Sequence, residues 1–255
     1  RVLFRSPVNK ILLSALLVIA APVINAQTRN STDLKTVIQS KVESLQDKTN
    51  SWREQIHQNP ELGNREFKTA KLVAAHLRSL GIEVQEGVAK TGVVGVLKGA
   101  KPGPCVALRA DMDALPLQEH NNFAHTSRNP GKMHACGHDG HTAMLLGAAQ
   151  YLSNHRDFKG SVIFIFQPAE EGGAGAREMI KDGLFEQFPC DAVFGLHNWP
   201  GLSEGHFGVT AGPMMASSNT FEITVTGRGG HAALPHNSAD PVLAGAQVVT
   251  ALQSI

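Results

Sequence analysis

Residues 161–167 read SVIFIFQ, an apolar, β-branched and aromatic run without the alternation that a strand with one wet face would show. Such a run belongs to a strand covered on both faces, and that arrangement requires helices on either side of a sheet. The flanking sequence supplies them. Upstream lie the short β-rich runs IEVQ, TGVVGVLKG and CVALRAD, then a polar loop from about Leu117 to Asp139, then the apolar helix HTAMLLGAAQYL. Downstream come the helix-like AREMIKDGLF and DAVFGLH, which reads as another buried strand. Strands alternating with helices define an α/β domain with a mostly parallel central sheet flanked by helices. Two further helices precede it. One has apolar positions at helical spacing from Thr32 to about His57, with Ser31 or Thr32 as cap, and the other runs from Phe67 to Leu80 and stops at Gly81.

Near Gly212 the texture changes. FEITVTG alternates like a half-solvated antiparallel strand and leads through RGGHAALPH into a helix. The expected organisation is therefore an α/β domain over residues 27–211 and the start of a smaller α+β domain over 212–255. The first 26 residues stand apart, because Arg1, Arg5 and Lys10 precede the apolar ILLSALLVIAAPVI and the small residue Ala26. That order is a secretory signal peptide, and it implies export to the periplasm or medium with no stable membrane association after cleavage. The start at Arg1 and the end inside the apolar-periodic PVLAGAQVVTALQSI, without a stop signal, read as a fragment.

Charge narrows the list of partners. The 23 basic and 22 acidic side chains are spread along the chain for a formal net charge of +1, so no positive block could track a phosphate backbone and no nucleic-acid partner is expected. Three cysteines, Cys105, Cys136 and Cys190, cannot all pair within one chain.

The unusual polar residues fall together on this framework. Asp111 and Asp113 follow CVALR, Glu170 and Glu171 follow SVIFIFQP, and His197 follows DAVFGL. All lie just beyond carboxyl ends of predicted strands, the edge of an open α/β sheet where ligands bind. HACGHDGH, residues 134–141, leads into the helix before SVIFIFQ and reaches the same rim. Thiolate, imidazole and carboxylate together suit zinc or another first-row divalent ion. Cys136 and His138 would point about 200° apart on a helix, so Gly137 and Gly140 are expected to keep the segment a loop until about Asp139. The adjacent Glu170 and Glu171 must likewise point apart, so different jobs are expected of them: one could hold metal while the other handles protons.

Other readings stand beside this one. Cys136 with His138 could form a cysteine-nucleophile hydrolase, although partners two residues apart have poor geometry for it. A non-catalytic metal-dependent binding protein would use the same ligands without the extra carboxylate. Taken singly, His197 reads as a hydrogen-bonded structural histidine, the EEGG pair as a solvated turn and Asp111 with Asp113 as a strand-end turn.

RADMDALPLQE, HACGHDGHTAMLLGAA, FQPAEEGGAGA, GLHNWP and GRGGHAALPH, with WREQIHQNPELG before them, resemble the motifs of the dinuclear metallo-amidohydrolases. This branch of the aminoacylase-like metallopeptidases includes hippurate hydrolases, N-acyl-amino-acid amidohydrolases and auxin-conjugate hydrolases. The resemblance implies a zinc-peptidase-like catalytic domain, the start of a lid and dimerisation domain, and a homodimer. It also implies two divalent metals per subunit, manganese, zinc or nickel, that activate water against the amide of an N-acyl amino acid or similar small conjugate. By that resemblance Cys136, His138, Glu171 and His197 are metal ligands, Glu170 is the general base and Asp113 orients a ligand. His231 of RGGH resembles a lid histidine that serves the developing oxyanion.

Overall fold

The protein is described by a computed structural model covering residues 40–254 apart from Ser218. The leader reading and the first part of the predicted first helix lie outside the described residues. Two compact units are present, one up to Trp199 and one from Pro200 onward. No helix among the described residues is long and apolar enough to cross a membrane.

In the first unit the strands β1 (Glu83–Val88), β2 (Gly92–Lys98), β3 (Lys101–Asp111), β4 (Lys159–Gln167) and β5 (Ala192–Gly195) form one sheet in the order β1-β2-β4-β3-β5. β4 pairs parallel with β3, and β3 parallel with β5, as expected of strands joined by helices. The β1 pairings and those between β2 and β4 are antiparallel. Connection length explains the β1–β2 pairing, where Ala89 to Thr91 closes a hairpin, whereas a parallel neighbour needs a crossover of about a dozen residues or more.

Successive residues of β4 face opposite sides, and both sides are covered. Phe164 and Phe166 enter a core with Trp52 of α1 (Gln46–Gln58), Val73 and Leu77 of α2 (Phe67–Ser79), and Leu146 of α3 (His138–Asn154). Ile163 and Ile165 enter a second core with Met179 of α4 (Gly175–Lys181) and Leu184 of α5 (Leu184–Gln187). All four β4 side chains are at most 3 % exposed, as the unbroken apolar run requires. AREMIKDGLF divides into two helices because Gly183 takes the left-handed conformation between them (φ 83°).

DAVFGLH departs from its reading. Among the described residues β5 pairs on one side only, with β3, and Val193 and Phe194 are 48 % and 59 % exposed. An apolar run is equally compatible with a central strand and with the strand at the end of a sheet, and among the described residues it is the latter.

α1 meets α2 through Trp52 and His76, whose rings lie 4.5 Å apart. Burial, with the positive Lys48 nearby, holds His76 down to about 4, so the fold carries the neutral imidazole. The unfolded chain then binds the extra proton between the ordinary 6.5 and about 4. Stability is expected to be full above 6.5 and to fall as pH drops through that window. Urea midpoints measured across it for the wild type and His76→Phe should converge as the pH falls; parallel curves would remove His76 as the source.

In the second unit FEITVTG has no strand partner among the described residues, and the one bridge there joins Arg228 to Ala239. A strand ladder needs a neighbour, so alternation by itself does not place this segment in a sheet. The helix that follows, α6 (Pro241–Leu252), has a well-made start. Asp240 Oδ1 accepts the N–H groups of Val242 and Leu243, and Pro241 occupies the first position, where its missing N–H costs nothing.

Candidate metal centre

Parallel pairing brings three strand ends to one edge. Asp111 stands in register with Gln167, and Arg109 with Gly195, so the segments after β3, β4 and β5 leave the sheet side by side. The start of α3 completes the rim. His138 is already its first residue, one earlier than the loop reading placed it, and Cys136 lies outside the helix. The left-handed Gly137 (φ 90°) between them removes the 200° splay, since the two side chains do not share a helix. A Cβ at this glycine would overlap the Asn198 side chain.

Cys136 Sγ is 3.4 Å from His197 Nε2, and His138 Nε2 is 3.7 Å from Asp111 Oδ2 and 3.9 Å from Glu170 Oε2. Three sets of donor atoms lie within 4.8 Å of one another: Cys136 with His138 and His197, Asp111 with His138 and His141, and His138 with Glu170 and Glu171. His138 belongs to all three. Its Nδ1 donates to the Asp113 carbonyl at 2.8 Å, which leaves Nε2 as the lone-pair nitrogen. That nitrogen and Glu171 Oε1 are buried without a partner. Buried polar atoms normally find hydrogen bonds, so two orphans in one cluster with a thiol and a second imidazole fit a bound cation.

The glutamate pair is set by buried carboxylates behind it. Asp113 Oδ1 accepts the Glu170 N–H and its Oδ2 accepts the Glu171 N–H, each at 2.9 Å. Glu66, fully buried, accepts the Ala169 N–H at 2.8 Å and the Thr91 hydroxyl at 2.6 Å. The turn is therefore held by its backbone. Glu170 can face His138 while the Glu171 carboxylate lies on the Cys136 side, where it raises the thiol.

Charge in the cluster is strongly negative. Burial pushes the Cys136 thiol up to about 12, and the hydrogen bond and charge of Glu171, with the charges of Glu170 and Asp111, add to the effect. Asp111 sits in the opposite regime at about 2: burial opposes its charge, but the His141 hydrogen bond and the Arg109 charge outweigh that. Arg109 Nη1 lies 2.6 Å from Asp111 Oδ2. Asp113 is likewise lowered, by His138 and the two backbone N–H groups acting against burial.

Cys136, His138, Asp113, Glu170, Glu171 and His197 thus come together in the first unit. His231 belongs to the second unit, where its Nδ1 accepts the Ala233 N–H at 3.2 Å. A supporting shell that the motifs do not announce surrounds them. His141 Nδ1 lies 2.7 Å from Asp111 Oδ1, and its Nε2 accepts the Asn198 N–H at 3.0 Å. His57 Nδ1 lies 2.8 Å from Asp139 and its Nε2 3.1 Å from Glu119, all three buried. The Asp139 hydrogen bond leads in raising the His57 imidazole, which favours an ion pair beneath the HACGH segment. The only sequence signal for this trio was that each member ends or sits in one of the quoted motifs, WREQIH, RADMDALPLQE and HACGHD.

Residues 107–254 match the model of peptidase family M20/M25/M40, and the chain belongs to that family. It is 53 % identical over 211 residues to hippurate hydrolase of Campylobacter jejuni, a match covering 83 % of this chain and 55 % of that protein. It is 47 % identical over 223 residues to N-acyl-L-amino acid amidohydrolase of Geobacillus stearothermophilus, covering 87 % and 60 %. The chain thus spans little more than half the length of these relatives. Among solved structures, Bacillus subtilis YXEP protein, a dinuclear metal-binding peptidase of the M20 family, superposes with a TM-score of 0.65 at 44 % identity, covering 69 % of this chain and 49 % of that one.

Proposed function

We propose that this chain is the metal-bearing part of an amidohydrolase that cleaves N-acyl amino acids or similar small conjugates. The reading rests on the orphaned His138 Nε2 and Glu171 Oε1 beside Cys136 and His197. These four residues would hold divalent metal, manganese, zinc or nickel, two ions per subunit as in the dinuclear relative. Bound there, the ions would polarise the amide carbonyl and make water nucleophilic near neutral pH. The substrate class follows the relatives that hydrolyse hippurate and N-acyl amino acids.

The chain's own residues supply the rest. Glu170, at the solvent side of the cluster, takes a proton from the attacking water and returns it to the departing amine. Asp113 fixes the His138 ring and the Glu170–Glu171 turn. His231 donates at the developing oxyanion, and a homodimer through the second unit supplies the setting for it. Export follows from the leader pattern of residues 1–26.

A cysteine nucleophile is the rival that the Cys136–His197 contact favours. A thiol held near 12 stays protonated at neutral pH, and without a cation it is a poor nucleophile. A cation beside it reverses this, because a coordinating thiol is deprotonated. Chelation separates the two. Amino-acid release from hippurate or N-acetyl amino acids by the full-length protein is expected to stop with chelator and return with added Mn²⁺ or Zn²⁺. Release that survives complete metal removal would leave the cysteine mechanism in place.

A further inference from the structure

With Cys136 at the candidate metal centre, two thiols remain, and the fold brings them to one place. Cys105 on β3 and Asp191 before β5 lie 86 residues apart in sequence, yet the Cys105 N–H donates to Asp191 Oδ2 at 2.7 Å and the Asp191 N–H donates to the Cys105 carbonyl at 2.8 Å. Cys190 is the next residue along. Neighbouring strands run about 4.8 Å apart, and a residue one step from a bonded partner falls near the roughly 4.4–6.8 Å Cα separation that a disulfide spans. Both side chains pack, half-buried, against the same apolar cluster of Ile163, Ile165, Met179 and Leu184, so they face the same side of the sheet. Burial, and then the neighbouring Cys105 and Asp191, raise the Cys190 thiol.

We propose that Cys105 and Cys190 form a disulfide in an oxidising compartment, tying β3 to the turn that enters the exposed edge strand β5. The two S–H bonds break and one S–S bond forms. Two electrons and two protons pass to a disulfide oxidant such as oxidised glutathione, which leaves as two thiols. In a reducing compartment the pair stays as thiols, as in this structure. The bond closes a long loop, the case in which a cross-link restricts the unfolded chain most. It also anchors a strand that has one sheet neighbour among the described residues.

The test is peptide mass spectrometry of the full chain. Folded protein is incubated with oxidised and reduced glutathione, free thiols are alkylated, and the digest is analysed without reduction. The expected result is one linked species joining the Cys105 and Cys190 peptides, lighter by two hydrogens than the separate pair and lost on reduction, with Cys136 recovered alkylated. Cys105→Ser and Cys190→Ser should each abolish the link, and reduction should lower the Tm of the wild type by several degrees but not that of either variant. Equal alkylation of Cys105 and Cys190 with and without oxidant would overturn the proposal. So would a link through Cys136, or the scrambled pairing of urea-unfolded protein persisting in the folded state.

Discussion

Glu170→Gln is expected to leave bound metal in place while lowering hydrolysis of N-acyl amino acids by about 10²–10⁴-fold, the usual worth of a positioned proton carrier. The amide keeps the shape of the carboxylate but does not accept a proton at neutral pH. The substitution leaves the fold intact, because the Glu170 side chain is 41 % exposed and the turn is held through its backbone N–H rather than its carboxylate. Glu171→Gln gives the contrast, since its buried oxygen is one of the two orphaned atoms, and there the metal should be lost along with activity. Metal content by elemental analysis beside turnover in full-length protein separates the two variants. Wild-type turnover in Glu170→Gln would sink its assignment as the base.

Asp113→Ala should produce the largest loss of stability at the site. Its carboxylate is 1 % exposed and is the acceptor for two consecutive N–H groups, and its charge supports the buried His138. A buried donor left without a partner costs about 1–3 kcal/mol, so the two part-buried N–H groups together point to a loss of at most about 6 kcal/mol. Asp113→Asn keeps one acceptor oxygen and should fall between the wild type and the alanine variant. Urea unfolding of the three proteins tests the order. An alanine variant within about 0.5 kcal/mol of the wild type, the scatter expected of an ordinary surface change, would mean that the turn is held by other contacts.

The architecture was legible where hydrophobic pattern alone decides it. SVIFIFQ demanded cover on both faces, and Phe164 and Ile165 receive it from different helices. The rim was legible for a related reason: strand ends can be read from apolar runs, and polar residues just after them converge once the strands run parallel. DAVFGLH exceeded what pattern can tell. Its side chains are as apolar as those of β4, and whether a strand lies inside a sheet or at its end depends on neighbours that its own sequence does not encode. His57, Glu119 and Asp139 were illegible as a group because 62 to 82 residues separate the partners and each alone is an ordinary polar side chain. FEITVTG carries a strand's alternation, but pairing belongs to two segments, and alternation describes one.

Positions 137 and 198 cannot drift independently as the sequence diverges. A side chain at 137 must first displace the Asn198 amide, and Asn198 is also the residue whose N–H fixes His141. A smaller residue at 198 would relieve the overlap while leaving the left-handed backbone of 137, which costs a non-glycine residue about 1–2 kcal/mol. Two changes in a set order would be needed, and the first brings no benefit. The neighbouring ligand candidates Cys136 and His197 are thereby held to each other's spacing by a contact that binds no metal.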